Sequence, residues 1–189
     1  FHIDRVTRMA MRLGAEEECD LFVVEMAALL HDLEDWKLID ADRANEQKVN
    51  QWLNSVGVDP DVSASIIEVI DQVSYKGAGV DTPVLTIEAA VVQDADRLDA
   101  IGAIGVARTF AYGGHKNRLI YDPEVKSVLH ADFQEYKKST APTINHFYEK
   151  LLLLKDRMHT ASAKRIAVGR HQFMVEYLTQ FYDEWNAVR

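Results

Sequence analysis

The chain has 189 residues, of which 48% are hydrophobic and 27% charged, a composition typical of globular proteins and not of disordered ones. Its 21 basic and 30 acidic residues give a net charge of −9. That charge argues against a surface that grips a nucleic-acid polymer, because such binding depends on neutralising phosphates, but a small phosphorylated ligand needs only a local basic cluster.

Apolar residues at three- and four-residue spacing predict helices along nearly the whole chain. Asp20 and Thr86 are suitable N-caps, Pro60 suits a first helical turn, and Gly113-Gly114 is expected to close a helix that begins after Thr86. The predicted helices span residues 1–13, 20–33, 43–53, 60–73, 87–110, 144–158 and 161–185. The sequence therefore predicts an all-α fold, in a single domain over residues 1–189.

Further features concern the cellular compartment and the two ends of the chain. A single cysteine, Cys19, excludes an intramolecular disulfide and favours a reducing, cytoplasmic compartment. No apolar run approaches the roughly 20 residues of a membrane span, and no signal-peptide pattern is present, so no membrane partner is expected. The first residue is Phe1 instead of Met, and we expect the N-terminal helix to be truncated. Phe181, Tyr182 and Trp185 form either a homodimer contact or a face that packs on the core.

His31-Asp32 follows a strongly apolar helical stretch. Charged groups in that position are expected to be partly buried, and a buried carboxylate must be paired or must bind a metal. Adjacent helical residues diverge by about 100°, so both side chains can reach one ion only at a helix end or edge. A surface His-Asp dipeptide is the alternative interpretation.

Residues 93–99 place three aspartates and Arg97 in a segment otherwise rich in small and apolar residues. Asp96 and Asp99 share a helical face, whereas Asp94 points elsewhere. The small neighbours indicate a central, closely packed helix, although a solvated charged stripe remains the alternative. His2 by itself indicates nothing.

Taken together, these pieces resemble the HD-domain metal-dependent phosphohydrolase superfamily. The matching motifs are His2 in His-x-x-Arg-Val, His31-Asp32 in Leu-Leu-His-Asp, and Asp96 in Ala-Asp-Arg-Leu. Residues 31–37, 92–108 and 145–156 are further similar to small bacterial HD hydrolases that act on nucleotides. The resemblance covers nearly the whole chain and implies an HD-domain helical bundle.

The resemblance implies that His2, His31, Asp32 and Asp96 are metal ligands, with Asp94 as the competing choice for the fourth. Two imidazoles and two carboxylates suit a divalent transition metal. Mn²⁺ is favoured, and Fe²⁺, Co²⁺, Ni²⁺, Zn²⁺ or Mg²⁺ are the other candidates. Asp99 is expected to support the ligands from the same helical face.

Residues just after the His-Asp pair are the predicted acid–base groups. In related HD hydrolases a carboxylate near this position orients water or transfers a proton, which implies a catalytic role for Asp35, with Glu34 as the weaker competitor. The candidate cations for phosphate binding are Lys37, Lys76, Arg97 and Arg118, the last in a basic loop predicted to cover a triphosphate. His146 either lines the cleft or is a core histidine.

The predicted function is a metal-dependent phosphohydrolase, most simply one that releases pyrophosphate from nucleoside or deoxynucleoside triphosphates. A phosphodiesterase or 5′-nucleotidase is the alternative within the same chemistry, and a redox enzyme with two irons is a more distant one. A nucleotide-binding sensor without catalysis, or a metal-stabilised binding module, is the alternative from another class.

Overall fold

The fold is helical throughout the described part of the chain. The computed structural model describes residues 1–32, 46–73, 84–128 and 140–188. These residues contain eight α-helices, one 3₁₀ helix and no strand, which confirms the all-α prediction. The helices are α1 (His2–Glu16), α2 (Leu21–Leu30), α3 (Glu46–Ser55), α4 (Pro60–Val73), α5 (Ile87–Asp99), α6 (Gly102–His115), α7 (Asn145–Glu149), the 3₁₀ helix (Leu151–Arg157) and α8 (Ala161–Trp185).

The described residues fall into two compact units, the first ending at Asp96 and the second beginning at Arg97. In the first unit, α1 packs on α2, and α4 packs on both α2 and α3. Val6, Ala10 and Leu13 give α1 one wholly buried face. The prediction of a single domain over residues 1–189 stays a prediction.

Several helix starts are set by local capping, as predicted. The Asp20 carboxylate accepts hydrogen bonds from the backbone N–H groups of Phe22 (3.0 Å) and Val23 (3.2 Å). The Thr86 hydroxyl oxygen accepts one from Ala89 N–H at 3.1 Å. Each cap satisfies N–H groups that have no partner inside the helix, so these short side chains fix where the helices begin.

The predicted helix over residues 87–110 is wrong, because the chain breaks between α5 and α6. Ile101 is extended (φ −122°, ψ 166°), and Gly102 has a left-handed φ of +76°. Glycine adopts that conformation without steric cost, so the break is stable at this residue. The Gly113-Gly114 pair does not close α6, which continues to His115.

In the second unit, α6 packs on α8, and the 3₁₀ helix packs on α7 and α8. The predicted helix over 144–158 is also wrong, since the backbone leaves the helical region at Lys150 (φ −144°) and continues as the 3₁₀ helix. Gly113 allows the backbone of α6 to lie close to Thr143. A Cβ on Gly113 would lie 2.3 Å from the Thr143 hydroxyl oxygen.

The aromatic residues near the end of α8 pack around Tyr121. Its ring centroid lies 5.9 Å from that of Phe181, 5.4 Å from Tyr182 and 5.0 Å from Trp185. Trp185 nevertheless keeps half of its surface exposed. A homodimer contact through this cluster therefore stays a prediction. Over the described ranges, no helix combines the length and apolar character that crossing a bilayer requires.

Candidate metal centre

His2 lies at the start of α1, on the helix face that points into the first unit. Val6 and Ala10 follow it at four-residue spacing, and both are completely buried. The His2 side chain is 25% exposed, and its Nε2 lies 3.3 Å from Asp32 Oδ2 and 3.4 Å from Asp96 Oδ1. The helix register therefore carries the first histidine to the two aspartates.

His31 occupies the C-terminal end of α2. Its backbone N–H donates to the Ala27 carbonyl at 2.9 Å, and its side chain is almost fully buried. The ring Nδ1 lies 2.8 Å from the Ala28 carbonyl oxygen. A carbonyl can only accept, so Nδ1 carries a proton, and in the neutral ring Nε2 then carries the lone pair.

The His31 Nε2 atom is buried and makes no hydrogen bond within the described residues. It lies 3.4 Å from Asp32 Oδ1. Buried polar atoms are nearly always hydrogen-bonded, so an exception calls for an explanation. A ring whose Nδ1 donates to a carbonyl while Nε2 presents a lone pair is the usual arrangement of a metal-binding histidine.

Asp32 connects the two histidines. Its two carboxylate oxygens face different rings, Oδ2 towards His2 and Oδ1 towards His31. Burial raises the pKa of Asp32, but the hydrogen bond with His2 and the electrostatic attraction to both histidine rings outweigh that effect, and the net pKa is lowered. The carboxylate therefore stays ionised at neutral pH, as a metal ligand must.

The separations suit a small divalent ion. One ligand atom from each of His2, His31 and Asp96 lies within 4.8 Å of the others. Ligands bonded at about 2.1 Å and at right angles to one another lie about 3 Å apart, close to the 3.3 and 3.4 Å separations measured here. Two imidazoles with two carboxylates match a transition metal better than Ca²⁺. His2, His31 and Asp96 thus have a spacing that fits such an ion, and Asp32 lies beside both histidines. The four-residue ligand set stays a prediction.

The two flanking aspartates of α5 are placed differently from Asp96. Asp94 is completely buried, whereas the Asp96 side chain is one-third exposed and faces His2. Asp99 is buried and accepts a hydrogen bond from Arg108 Nη1 at 2.5 Å. The structure thus brings Asp96 to the histidines, and the supporting role of Asp99 stays a prediction.

The remaining predicted site residues divide into two groups. Arg97 donates from Nη1 to the Arg157 carbonyl and lies 2.9 Å from His159 Nε2. Arg118 lines a cavity in the second unit. Glu34, Asp35, Lys37 and Lys76 lie outside the described residues, and their predicted roles stay predictions.

The sequence named Arg118 and His146 as candidates but did not predict the cavity that they share. Its volume is about 450 Å³, and the described residues that line it include Arg108, Arg118, Lys150 and His146. We call it the cationic cavity. No motif marks Arg108 or Lys150, and the only sequence signal is the helical spacing that puts residues 105, 108, 109 and 112 on one face of α6.

Fold and site together define a class of all-helical domains in which a His-Asp pair meets a distant histidine and a distant aspartate. The sequence model of the HD domain family matches residues 1–101. The uncharacterized protein YpgQ of Bacillus subtilis is 39% identical over 180 residues, which are 95% of this chain and 80% of YpgQ. The chain therefore belongs to the HD domain family.

Solved structures agree with this assignment. An HD-superfamily hydrolase from Bacillus thuringiensis is 44% identical, with a TM-score of 0.80 over 98% of this chain and 85% of that one. YpgQ in complex with ADP is 37% identical, with a TM-score of 0.78 over 97% of this chain and 87% of that one. The chain thus has the fold of HD-superfamily hydrolases.

Proposed function

We propose that this protein is a metal-dependent phosphohydrolase, and that it cleaves nucleoside or deoxynucleoside triphosphates with release of pyrophosphate. The observation that carries the proposal is the convergence of His2, His31, Asp32 and Asp96, with the His31 Nε2 lone pair buried and not hydrogen-bonded among the described residues. These four residues would hold a divalent ion, Mn²⁺ being favoured.

The chemistry follows from this donor set. A bound divalent ion supplies Lewis-acid polarisation of a phosphoryl group and lowers the pKa of water towards neutrality. His31 is held in one tautomer by the Ala28 carbonyl, so its orientation is fixed before a ligand arrives. In this proposal Asp35, or Glu34 in its place, holds or moves the proton of the attacking water.

The substrate class is supported by the relatives and by charge. The B. subtilis YpgQ structure contains ADP, and that protein is similar to this chain over nearly its whole length. Lys37, Lys76, Arg97 and Arg118 are the residues that we propose for the phosphate groups. They would supply locally the positive charge that the chain, at −9, lacks overall.

The test combines metal analysis with a nucleotide panel. We expect the purified chain to bind about one first-row metal and to hydrolyse triphosphates with Mn²⁺. His31→Gln and Asp96→Asn should lose the metal and lower kcat/KM at least about 100-fold, because each removes a ligand. Their matched controls, His115→Gln and Asp61→Asn, change exposed residues and should behave like the parent protein.

Product analysis separates the candidate reactions. Pyrophosphate release supports the proposal, whereas phosphate release from a monophosphate would indicate a 5′-nucleotidase. A nucleotide-binding sensor is favoured by the same ADP complex of YpgQ, and it would bind nucleotides tightly without turnover. Absence of both metal binding and hydrolysis after Mn²⁺ supplementation would refute the proposed function.

A further inference from the structure

The cationic cavity carries several positive charges that belong to no part of the metal centre. Three of its lining residues, Arg108, Arg118 and Lys150, are basic, and no described lining residue is acidic. Its volume of about 450 Å³ lies in the range of small-molecule sites. Like charges gathered around a concave space favour an anionic ligand.

Arg108 is held in place by the buried carboxylate of Asp99. Its Nη1 donates to Asp99 Oδ2 at 2.5 Å and to the Asp99 backbone carbonyl at 3.3 Å. Both contacts come from one nitrogen and tether the guanidinium group to Asp99. A guanidinium oriented before binding loses less side-chain entropy when a second anion arrives.

Glu149 is the acidic residue next to Lys150 in sequence, and it is buried. Its Oε1 accepts a hydrogen bond from Val128 N–H at 3.4 Å. It does not line the cavity. Lys150 itself lines the cavity.

The pKa of His146 reflects its burial and the positive charges around this cavity. Burial lowers its pKa to about 3, and the positive charges of Lys150 and Arg118 add to the effect. The ring is thus neutral at physiological pH. The hydroxyl of Thr143, which donates to the Leu119 carbonyl at 3.1 Å, also lines the wall.

The cations beside Tyr112 indicate which kind of anion fits the cavity. The Lys116 ammonium lies 5.6 Å from its ring centroid and the Arg118 guanidinium 5.9 Å. Cations near a tyrosine ring compete with a nucleobase that would stack there. The cavity is therefore better suited to phosphate groups than to a base.

We propose that the cationic cavity is an oligophosphate-binding site in which Arg108, Arg118 and Lys150 contact two or more linked phosphates. The ligand is a short chain of linked phosphates, either that of a nucleotide or the free pyrophosphate that hydrolysis releases. Oligophosphate binding to this cavity does not depend on the proposed hydrolysis. Only the origin of the ligand, nucleotide or released pyrophosphate, rests on the proposed function.

The test is titration calorimetry of the full chain with tripolyphosphate, in the presence of a chelator so that the metal centre takes no part. Arg118→Gln and Lys150→Gln should each weaken binding about 10-fold or more, as expected for a hydrogen bond between charged partners. Lys116→Gln is the matched control, because it removes the same charge beside Tyr112 from a residue that does not line the cavity. We expect less than a twofold change.

Arg108 is left unchanged in this test, because its loss would remove a partner from a buried carboxylate and destabilise the fold. Circular dichroism of the two variants verifies that they are folded. A metal-loaded kinetic series then identifies the source. A rise in KM for the triphosphate indicates the substrate chain, and weaker inhibition by added pyrophosphate with unchanged KM indicates the product.

Equal affinity for tripolyphosphate in the parent chain, Arg118→Gln and Lys150→Gln would overturn the proposal, as would equal losses in Lys116→Gln. Because the calorimetry uses metal-free protein, this failure is distinct from the absence of hydrolysis that would refute the proposed function.

Discussion

Replacing His146 should make the protein less sensitive to acid. The folded chain holds this histidine neutral, with a pKa of about 3, because it is buried and faces the charges of Lys150 and Arg118. In the unfolded chain the same ring has a pKa near 6.5. Below that pH the unfolded state binds a proton that the folded state does not, so the free energy of unfolding decreases as the pH falls from 6.5 towards 3.

The size of the effect follows from the distance below the unfolded pKa. At pH 5 the unfolded histidine lies 1.5 units below its pKa of 6.5. Each unit corresponds to about 1.4 kcal/mol, so His146 should cost the folded state about 2 kcal/mol at pH 5 and nothing at pH 8. This figure depends little on the folded pKa as long as that value stays well below 5.

The assay is urea unfolding of the parent chain and His146→Asn at pH 8 and pH 5, in a chelator. The substitution has a fixed structural cost, which the pH 8 measurement gives. Between pH 8 and pH 5 the parent should lose about 2 kcal/mol more than the variant. His115→Asn is the control, because it removes an exposed histidine from the end of α6. Parallel losses in the parent and His146→Asn would show that the ring is protonated in the folded state, and the reasoning would fail.

Gly105→Ala should destabilise the protein by several kcal/mol in the same urea assay, because a Cβ there would lie 2.2 Å from the Ala100 carbonyl oxygen, which is backbone and cannot rotate away. Gly114→Ala is its control, since the new methyl group meets nothing within 4 Å. The free energy of unfolding of this control should rise by up to about 1 kcal/mol, because alanine has the higher helix propensity. Similar effects of the two changes would contradict the packing argument. Burial, followed by the negative charge of Glu88, raises the pKa of Cys19 to about 11 from 9.0, so iodoacetamide at pH 8 should alkylate the folded chain about 100-fold more slowly than the urea-unfolded chain. Equal rates measured by mass spectrometry would contradict that pKa.

Local signals in the sequence predicted much of the helical framework. α4 and α8 begin and end where proline, capping and periodicity indicate, at Pro60–Val73 and Ala161–Trp185. Capping hydrogen bonds and side-chain spacing act within a few residues, so neighbouring sequence is enough to identify them. The break before α6 was missed because Gly102 also fits a small-residue packing pattern, and its left-handed φ cannot be read from composition.

The candidate metal site, like the helical framework, was predicted only in part from the sequence. The motifs around His2, His31-Asp32 and Asp96 suggested a ligand set through their resemblance to a family. Helical geometry alone left Asp94 and Asp96 as competitors, because periodicity says which residues share a face and not what that face meets. The tertiary structure brings Asp96, and not the buried Asp94, to His2.

By itself, then, the sequence determined a helical chain with caps, an acidic surface and a His…His-Asp…Asp order, all properties carried by short segments. Only the tertiary structure decided that the Ala28 carbonyl leaves the His31 Nε2 lone pair available, and that Arg108, Arg118 and Lys150 share one cavity. These features depend on burial and on contacts between residues far apart in the chain. Their geometry is fixed when the helices pack, because packing sets both the distances between side chains and the loss of water around them.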